Sequence, residues 1–183
     1  MKFLSLLPLL AALALATPAQ ADSIAFVNME KIMHDSTAAR SVKDQLESKQ
    51  KSFQSEMSHK EDELNREHDE LLKQRGVLSP EAFEKKAKSF RTKTDAAQKD
   101  VQSKRNMLNY AVNSSLAEIQ KSILDIVAGI SHDKGYTVVI PSSALLYADP
   151  KLDITNDVLS KLNSSLPKVN VSFKNGGASK DEE

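Results

Sequence analysis

One apolar rhythm runs from Phe83 to Ile130, and it commits this chain to a long α-helix with a narrow contact face. Phe83, Ala87, Phe90, Thr94, Ala97, Val101, Lys104 and Leu108 alternate steps of four and three, the spacing of a coiled-coil seam. The seam then slips to Val112, Leu116, Ile119, Ile123, Ile126 and Ile130. Two successive steps of four, Lys104 to Leu108 to Val112, form a stutter. Upstream, Val42, Leu46, Phe53, Met57, Leu64 and Leu71 mark a second helix opening at Asp35-Ser36-Thr37. Between them lies Arg75-Gly76-Val77-Leu78-Ser79-Pro80, where Gly76 is suited to end one helix and Ser79-Pro80 to start the next. The spacing predicts two helices of close to fifty residues, each roughly 70–75 Å long, folded into an antiparallel hairpin over 35–131.

The flanks read differently. Lys2, an apolar run from Phe3 to Ala16 and the small-x-small site Ala19-Gln20-Ala21 predict a signal peptide over 1–21, cleaved after Ala21. No later stretch reaches the ~18 apolar residues of a membrane span. Ile24 to Met29 reads as a strand, Tyr136 to Pro141 as a second and Ala144 to Ala148 as a third, with Pro141-Ser142-Ser143 as the turn between them. Thr155 opens a short last helix with Val158, Leu159 and Leu162 on one face. Residues 22–34 and 132–166 thus form a β body, and 167–183 a flexible tail, although 168–173 alternates as a marginal strand does. The fold class is α+β: a helical hairpin arm on a small β body.

That body is too small to stand alone. Its expected inward set is Ile24, Phe26, Val138, Ile140, Leu145 and Tyr147, each contributing roughly 1.5–3 kcal/mol when fully buried. Ordering the backbone costs on the order of 1–2 kcal/mol per residue. Three short strands with open edges do not meet that cost, so strands shared between subunits are expected. The chain has no cysteine, so disulfides cannot supply the difference. The arm should be firm at its root, from Val112 to Ile130, and compliant further out, where Ala87, Thr94, Ala97 and Lys104 bury little.

Enzymatic signatures are missing. The glycines at 76, 129, 135, 176 and 177 make no phosphate loop, and the histidines at 34, 59, 68 and 132 lack metal-ligand spacing. Acids such as Glu61, Asp62 and Glu63 read as a solvated helix face. No nucleophile motif occurs. The pattern therefore predicts neither an enzyme nor a cofactor or metal site. Lysine plus arginine and aspartate plus glutamate balance at 25 each, which argues against a nucleic-acid surface. The charge is nonetheless segregated: acids dominate Glu56 to Glu70 and bases dominate Lys85 to Arg105. Most mid-arm charges should pair along or between the helices. At the hairpin bend Lys73, Arg75, Lys85, Lys86, Lys88 and Arg91 outnumber Glu81 and Glu84, a candidate surface for anionic membranes or acidic clients.

Three pieces in order carry a family resemblance: the strand Ile24-Ala25-Phe26-Val27-Asn28-Met29, the charged hairpin, and the run from Tyr136-Thr137-Val138-Val139-Ile140 through Ala144-Leu145-Leu146-Tyr147 to Asp153-Ile154-Thr155-Asn156-Asp157-Val158-Leu159. Over roughly 22–164 the chain resembles the Skp/OmpH family of periplasmic chaperones. The resemblance implies a homotrimer with a shared β-barrel body and three arms around a cavity. It implies an ATP-independent holdase that keeps unfolded outer-membrane β-barrel proteins from aggregating in the periplasm. It also implies lipopolysaccharide binding near Lys99, Lys104 and Arg105. Two features depart from the family: several members are strongly basic whereas this chain is balanced, and the tail after Leu166 is additional. Two other readings remain open at this point, a structural coiled-coil tether of the envelope and a binder of anionic polymers.

Overall fold

The computed structural model of the protein describes residues 23–174. The expected signal peptide and the last nine residues of the tail lie outside them. Strand β1 (Ser23–Val27) leads into a short helix α1 (Met29–Asp35), then α2 (Thr37–Gln74), α3 (Pro80–Lys134), β2 (Tyr136–Pro141), two single 3-10 turns (Ser142–Ala144 and Pro150–Leu152) and α4 (Thr155–Ser165).

Each boundary has a local cause. Asn28 ends β1 and caps α1 by accepting a hydrogen bond from the Lys31 amide at 2.8 Å. Ser36 serves two helices: its amide donates to the Ile32 carbonyl at 3.0 Å and its hydroxyl accepts from the Ala39 amide at 3.2 Å. Ser79 caps α3 through the Ala82 amide, with Pro80 at the first helical position. Gly135 ends α3 at φ 72°, a left-handed conformation that glycine adopts without strain. Gly76 has no positive φ; α2 stops instead on an αR cap at Arg75, with the Val77 and Leu78 amides donating back to the Gln74 carbonyl.

The helix lengths differ from expectation. α2 has 38 residues and α3 has 55, so at 1.5 Å per residue they span about 57 and 82 Å. α2 keeps to the bounds read from the sequence, Asp35-Ser36-Thr37 to Gly76, and these enclose only about forty residues, so the two helices are unequal. The residues from Met29, read above as strand and body, begin α1.

β1 and β2 pair in parallel, with Ile24 opposite Val138, Ala25 opposite Val139, Phe26 opposite Ile140 and Val27 opposite Pro141. Parallel neighbours need a long crossover. Here α1 and the whole hairpin make up that crossover, and α3 runs through Gly135 directly into β2. The core lies where the sheet, α1, α4 and the two roots meet. It is built from Ala25, Val27, Ile32, Val42, Ile119, Ile123, Ile130, Ile154, Val158 and Leu162, all at most 5 % exposed. α4 is tied in by polar bonds as well. The Thr37 amide donates to Asn163 Oδ1 at 2.9 Å, and the Asn28 amide to Thr155 Oγ1 at 2.8 Å. Thr155 is the first residue of α4; Asp153 accepts from both its amide and its hydroxyl.

Three expectations about the body change. First, the alternation of β1 runs in the opposite phase: Ala25 and Val27 face the chain's own core, while Ile24 is 44 % and Val138 48 % exposed. Phe26, Ile140 and Leu145 are half-buried, and Tyr147 is 86 % exposed. The helices come close to the sheet on its small-residue face, and the larger side chains remain on the open one. Second, there is no third strand among the described residues. Ser142–Ala144 turns as a 3-10 helix, and Leu146 and Tyr147 project into solvent. Third, 167–174 is not a free tail. Val169 is 1 % exposed and belongs to the core, and the amides of Val169 and Val171 donate to Ser41 and Gln45 of α2.

Candidate functional site

The arm presents a long contact seam and an exposed, charged surface. Every seam position of α3 from Phe83 to Ile130 is buried or half-buried, so the spacing located the contact face correctly. Its filling changes along its length. At the root Ile119 and Ile123 are fully buried and Ile130 is 2 % exposed. At the stutter Ala111 and Ser115 take the innermost positions beside Val112 and Leu116. Beyond Phe53, the only seam residue reaching burial is Ala87.

Phe53 is the last large anchor before the distal arm. The Lys49 and Lys104 ammonium groups lie 4.6 and 5.1 Å from its ring centroid. Lys104 also bonds Asp100 on its own helix at 2.9 Å and Glu56 across the hairpin at 3.2 Å. Asp100, and then Glu56, raise the Lys104 pKa against the cost of desolvation, while Lys104 holds the Glu56 carboxyl below its ordinary value. Further out, Lys93 grips both oxygens of Glu67 at 2.8 and 2.7 Å, which raises the Lys93 pKa. The His68 ring tilts against Phe90 with centroids 5.6 Å apart, and Lys86 Nζ donates to Gln74 Oε1 at 2.6 Å. Cross-helix pairs thus hold the distal hairpin where apolar volume is scarce.

Two shallow apolar grooves follow the hairpin. One of about 540 Å³ at the root is lined by Met33, Val42, Leu46, Val112, Leu116 and Ile119. The other, about 380 Å³, lies on the arm between Met57, Leu64, Phe90, Ala97 and Val101. An acidic cleft formed by Asp62, Glu63, Glu67 and Glu70, with His59, Arg66 and Lys93, lies along the same arm. Among the described residues no cluster of ligating side chains suits a metal ion, and no helix is long and apolar enough to cross a membrane.

The sequence-derived basic residues separate into two groups. Lys73, Arg75, Lys85, Lys86, Lys88 and Arg91 are all exposed around the bend, and none forms an ion pair among the described residues. They surround the tip on several sides, since at 100° per residue Lys85, Lys86 and Lys88 point in different directions. Lys99, Lys104 and Arg105 do not form one patch. Lys104 is committed to the seam, and the exposed Lys99 and Arg105 lie about 120° apart around α3. The body residues do come together: Ile24 with Val138 and Phe26 with Ile140 make one open apolar face of the sheet.

Periodicity missed Ser41, Gln45 and Lys49, which lie beside the α2 seam at steps of four and hold residues 169–173. The available signal was the alternation of Val169, Val171 and Phe173, which asks for a partner surface.

Comparison with known proteins agrees with this architecture. The family model described as "Outer membrane protein (OmpH-like)" matches residues 23–162. The Chaperone protein Skp of Yersinia enterocolitica is 31% identical over 160 residues, covering 82% of this chain and 92% of its own. The crystal structure of a Caulobacter crescentus CB15 protein described as a "putative outer membrane chaperone (OmpH-like)" superposes with a TM-score of 0.77 at 16% identity, covering 84% of this chain and 91% of the other. That likeness speaks for the fold.

Proposed function

Since the chain belongs to the OmpH-like family, we propose that it is an ATP-independent holdase of the periplasm that keeps unfolded outer-membrane β-barrel proteins soluble. The observation that carries this reading is the arm: a firmly rooted hairpin whose distal seam is thin and whose surface bears shallow apolar grooves. An unfolded barrel strand alternates apolar and polar residues and leaves its backbone unpaired, so it aggregates in water. Many weak contacts along a compliant arm sum to useful avidity while each stays easily broken. Release needs no fuel, because folding into the membrane is the deeper sink. The test is light scattering of a denatured outer-membrane barrel protein diluted with and without the mature chain. Suppression at near-stoichiometric amounts is expected; unchanged aggregation rejects the reading.

The working form is a homotrimer joined through the body. The open face of Ile24, Phe26, Val138 and Ile140 is an apolar surface that a lone two-stranded sheet leaves wet, and Leu146 and Tyr147 are likewise exposed. Ile140→Asp should dissociate the trimer in analytical ultracentrifugation, and an intact trimer of that variant contradicts the assignment. Export with cleavage after Ala21 is checked by the intact mass of the periplasmic protein. The basic tips would dock transiently on anionic membrane where clients emerge, at about 1 kcal/mol per lysine or arginine near the surface. Replacing Lys85, Lys86, Lys88 and Arg91 by Gln should weaken binding to anionic vesicles and leave the trimer intact. Lipopolysaccharide binding at Lys99 and Arg105 receives less support, because Lys104 is already paired.

A further inference from the structure

The chain carries an extended peptide of its own on the arm. Residues 168–174 run alongside α2 with Val169 at 1 % exposure, Val171 and Phe173 half-buried, and Asn170, Ser172 and Lys174 facing solvent. The Val169 amide donates to Ser41 Oγ at 3.1 Å, and Ser41 Oγ lies 3.5 Å from the Val169 carbonyl. Gln45 Nε2 donates to that carbonyl at 2.7 Å, and Gln45 Oε1 accepts from the Val171 amide at 3.2 Å. The Lys49 ammonium lies 5.7 Å from the Phe173 ring centroid.

Two properties of this contact are general rather than particular to the segment. Its hydrogen bonds all go to the segment's main chain, so they select an extended backbone and not a sequence. Its pitch also matches a strand. Ser41, Gln45 and Lys49 are four residues apart, a rise of about 6 Å per step. Two residues of extended chain advance about 6.6 Å. Each turn of α2 therefore meets every second residue of a strand running parallel to it, the residues that alternation makes apolar.

We propose that Ser41, Gln45 and Lys49 form a track for one extended segment of alternating apolar and polar residues, and that 168–174 is its resident occupant, displaced by a strand of an unfolded outer-membrane protein. The ligand class rests on the holdase reading above; the track itself does not. The occupant is covalently tethered, so its high local concentration weakens the site toward any outside strand. Its hold is modest, with one side chain fully buried, two half-buried and the others in solvent, so exchange is open to a competitor that also gains contacts elsewhere on the arm. The additional tail thereby covers an aggregation-prone acceptor until a client arrives.

The test uses the full mature chain and a fluorescent synthetic peptide with the sequence of 168–174. Val169→Asp, which frees the resident segment, should bind the peptide at least tenfold more tightly than wild type. Adding Gln45→Ala should remove that gain, and an unlabelled peptide from a barrel transmembrane strand should compete. Because the natural chain has no cysteine, Ser41→Cys with Val169→Cys gives a segment locked by oxidation and freed by reduction in one molecule. Peptide binding should vanish on oxidation and return on reduction. Equal peptide affinity in wild type and Val169→Asp, a gain that survives Gln45→Ala, or binding unaffected by oxidation overturns the track. If Val169→Asp loses helix content, the oxidised and reduced pair decides alone. Suppressed barrel aggregation with no peptide effect overturns only the track; peptide binding with no competition by the barrel strand overturns only its ligand; unsuppressed aggregation overturns the holdase reading.

Discussion

The root and the tip of the hairpin share one seam spacing and are built from different materials. At the root, Ile119, Ile123 and Ile130 share one core with Ile32, Val42, Val158 and Leu162 and are closed off from water. Toward the tip the same positions hold Phe83, Ala87, Phe90 and Thr94, of which only Ala87 is buried, while Leu72 and Val77 remain 53% and 83% exposed. Spacing determines where two helices touch; side-chain volume and a third packed layer determine how firmly. The cross-helix bonds Lys93 to Glu67 and Lys86 to Gln74 keep the tip in register. Exposed pairs of this kind contribute little, because water screens them.

The largest effect should come from placing a charge on the seam. Ile123→Asp buries an unpaired carboxylate and should cost on the order of 4 kcal/mol or more, read as loss of the cooperative thermal transition. Ala97→Asp, at a half-buried distal position, should cost about 1 kcal/mol or less. Equal losses would erase the distinction between root and arm. A milder version removes volume. Ile119→Ala should cost about 2–5 kcal/mol in denaturant unfolding, and Leu71→Ala about 1 kcal/mol. Next is the network at Phe53. Lys104→Met keeps the packing over the ring but breaks the bonds to Glu56 and Asp100, and should cost about 1 kcal/mol. A loss several times larger would move the boundary of the firm root outward past Phe53.

The smallest effect is a pH dependence. Lys104, with Ser52, holds the Glu56 carboxyl below its ordinary 4.5, and His34 followed by Lys31 hold that of Asp35 below 3.8. A lowered carboxylate pKa means the unfolded chain binds more protons, so stability rises with pH through this range. The contribution is complete above those ordinary values and is lost as pH falls through the folded-state pKa values. Thermal midpoints measured from pH 6 down to pH 3 should fall most steeply below about pH 4.5, and Glu56→Gln should flatten that slope slightly. The lysines paired with carboxylates, Lys93, Lys104 and Lys134, act oppositely: their raised pKa values give stability that is lost only as pH rises through them.

Much of this was legible in the sequence, for identifiable reasons. Positions such as Ala87, Ile123 and Ile130 fell on a strict spacing, and Ser79-Pro80 and Gly135 carry their conformational instructions locally. The sheet phase was not legible, because Ile24 and Phe26 are larger than Ala25 and Val27 and size alone favoured them as core. In the single chain the small side admits the helices. Leu145 to Tyr147 has strand composition, yet no strand among the described residues pairs with it. α1 was hidden because Met29, Ile32 and Met33 extend the apolar run of β1, and only the Asn28 and Ser36 caps divide it. The docking of Val169 depends on polar residues at the seam's flank, Ser41 and Gln45, which a search for apolar periodicity passes over. Lys104 showed its partner Asp100 at four residues' distance, whereas Glu56 becomes visible only once the hairpin closes.

Hydrogen exchange followed by mass spectrometry tests the central claim most directly, because it reads root and arm in one experiment. The chain alone should exchange slowly from 112 to 130 and fast from 54 to 104, and an unfolded outer-membrane barrel protein should slow the fast region while leaving the root unchanged. Uniform protection along α2 and α3, or a client that protects only the root, would contradict a firm base carrying a compliant, client-holding arm.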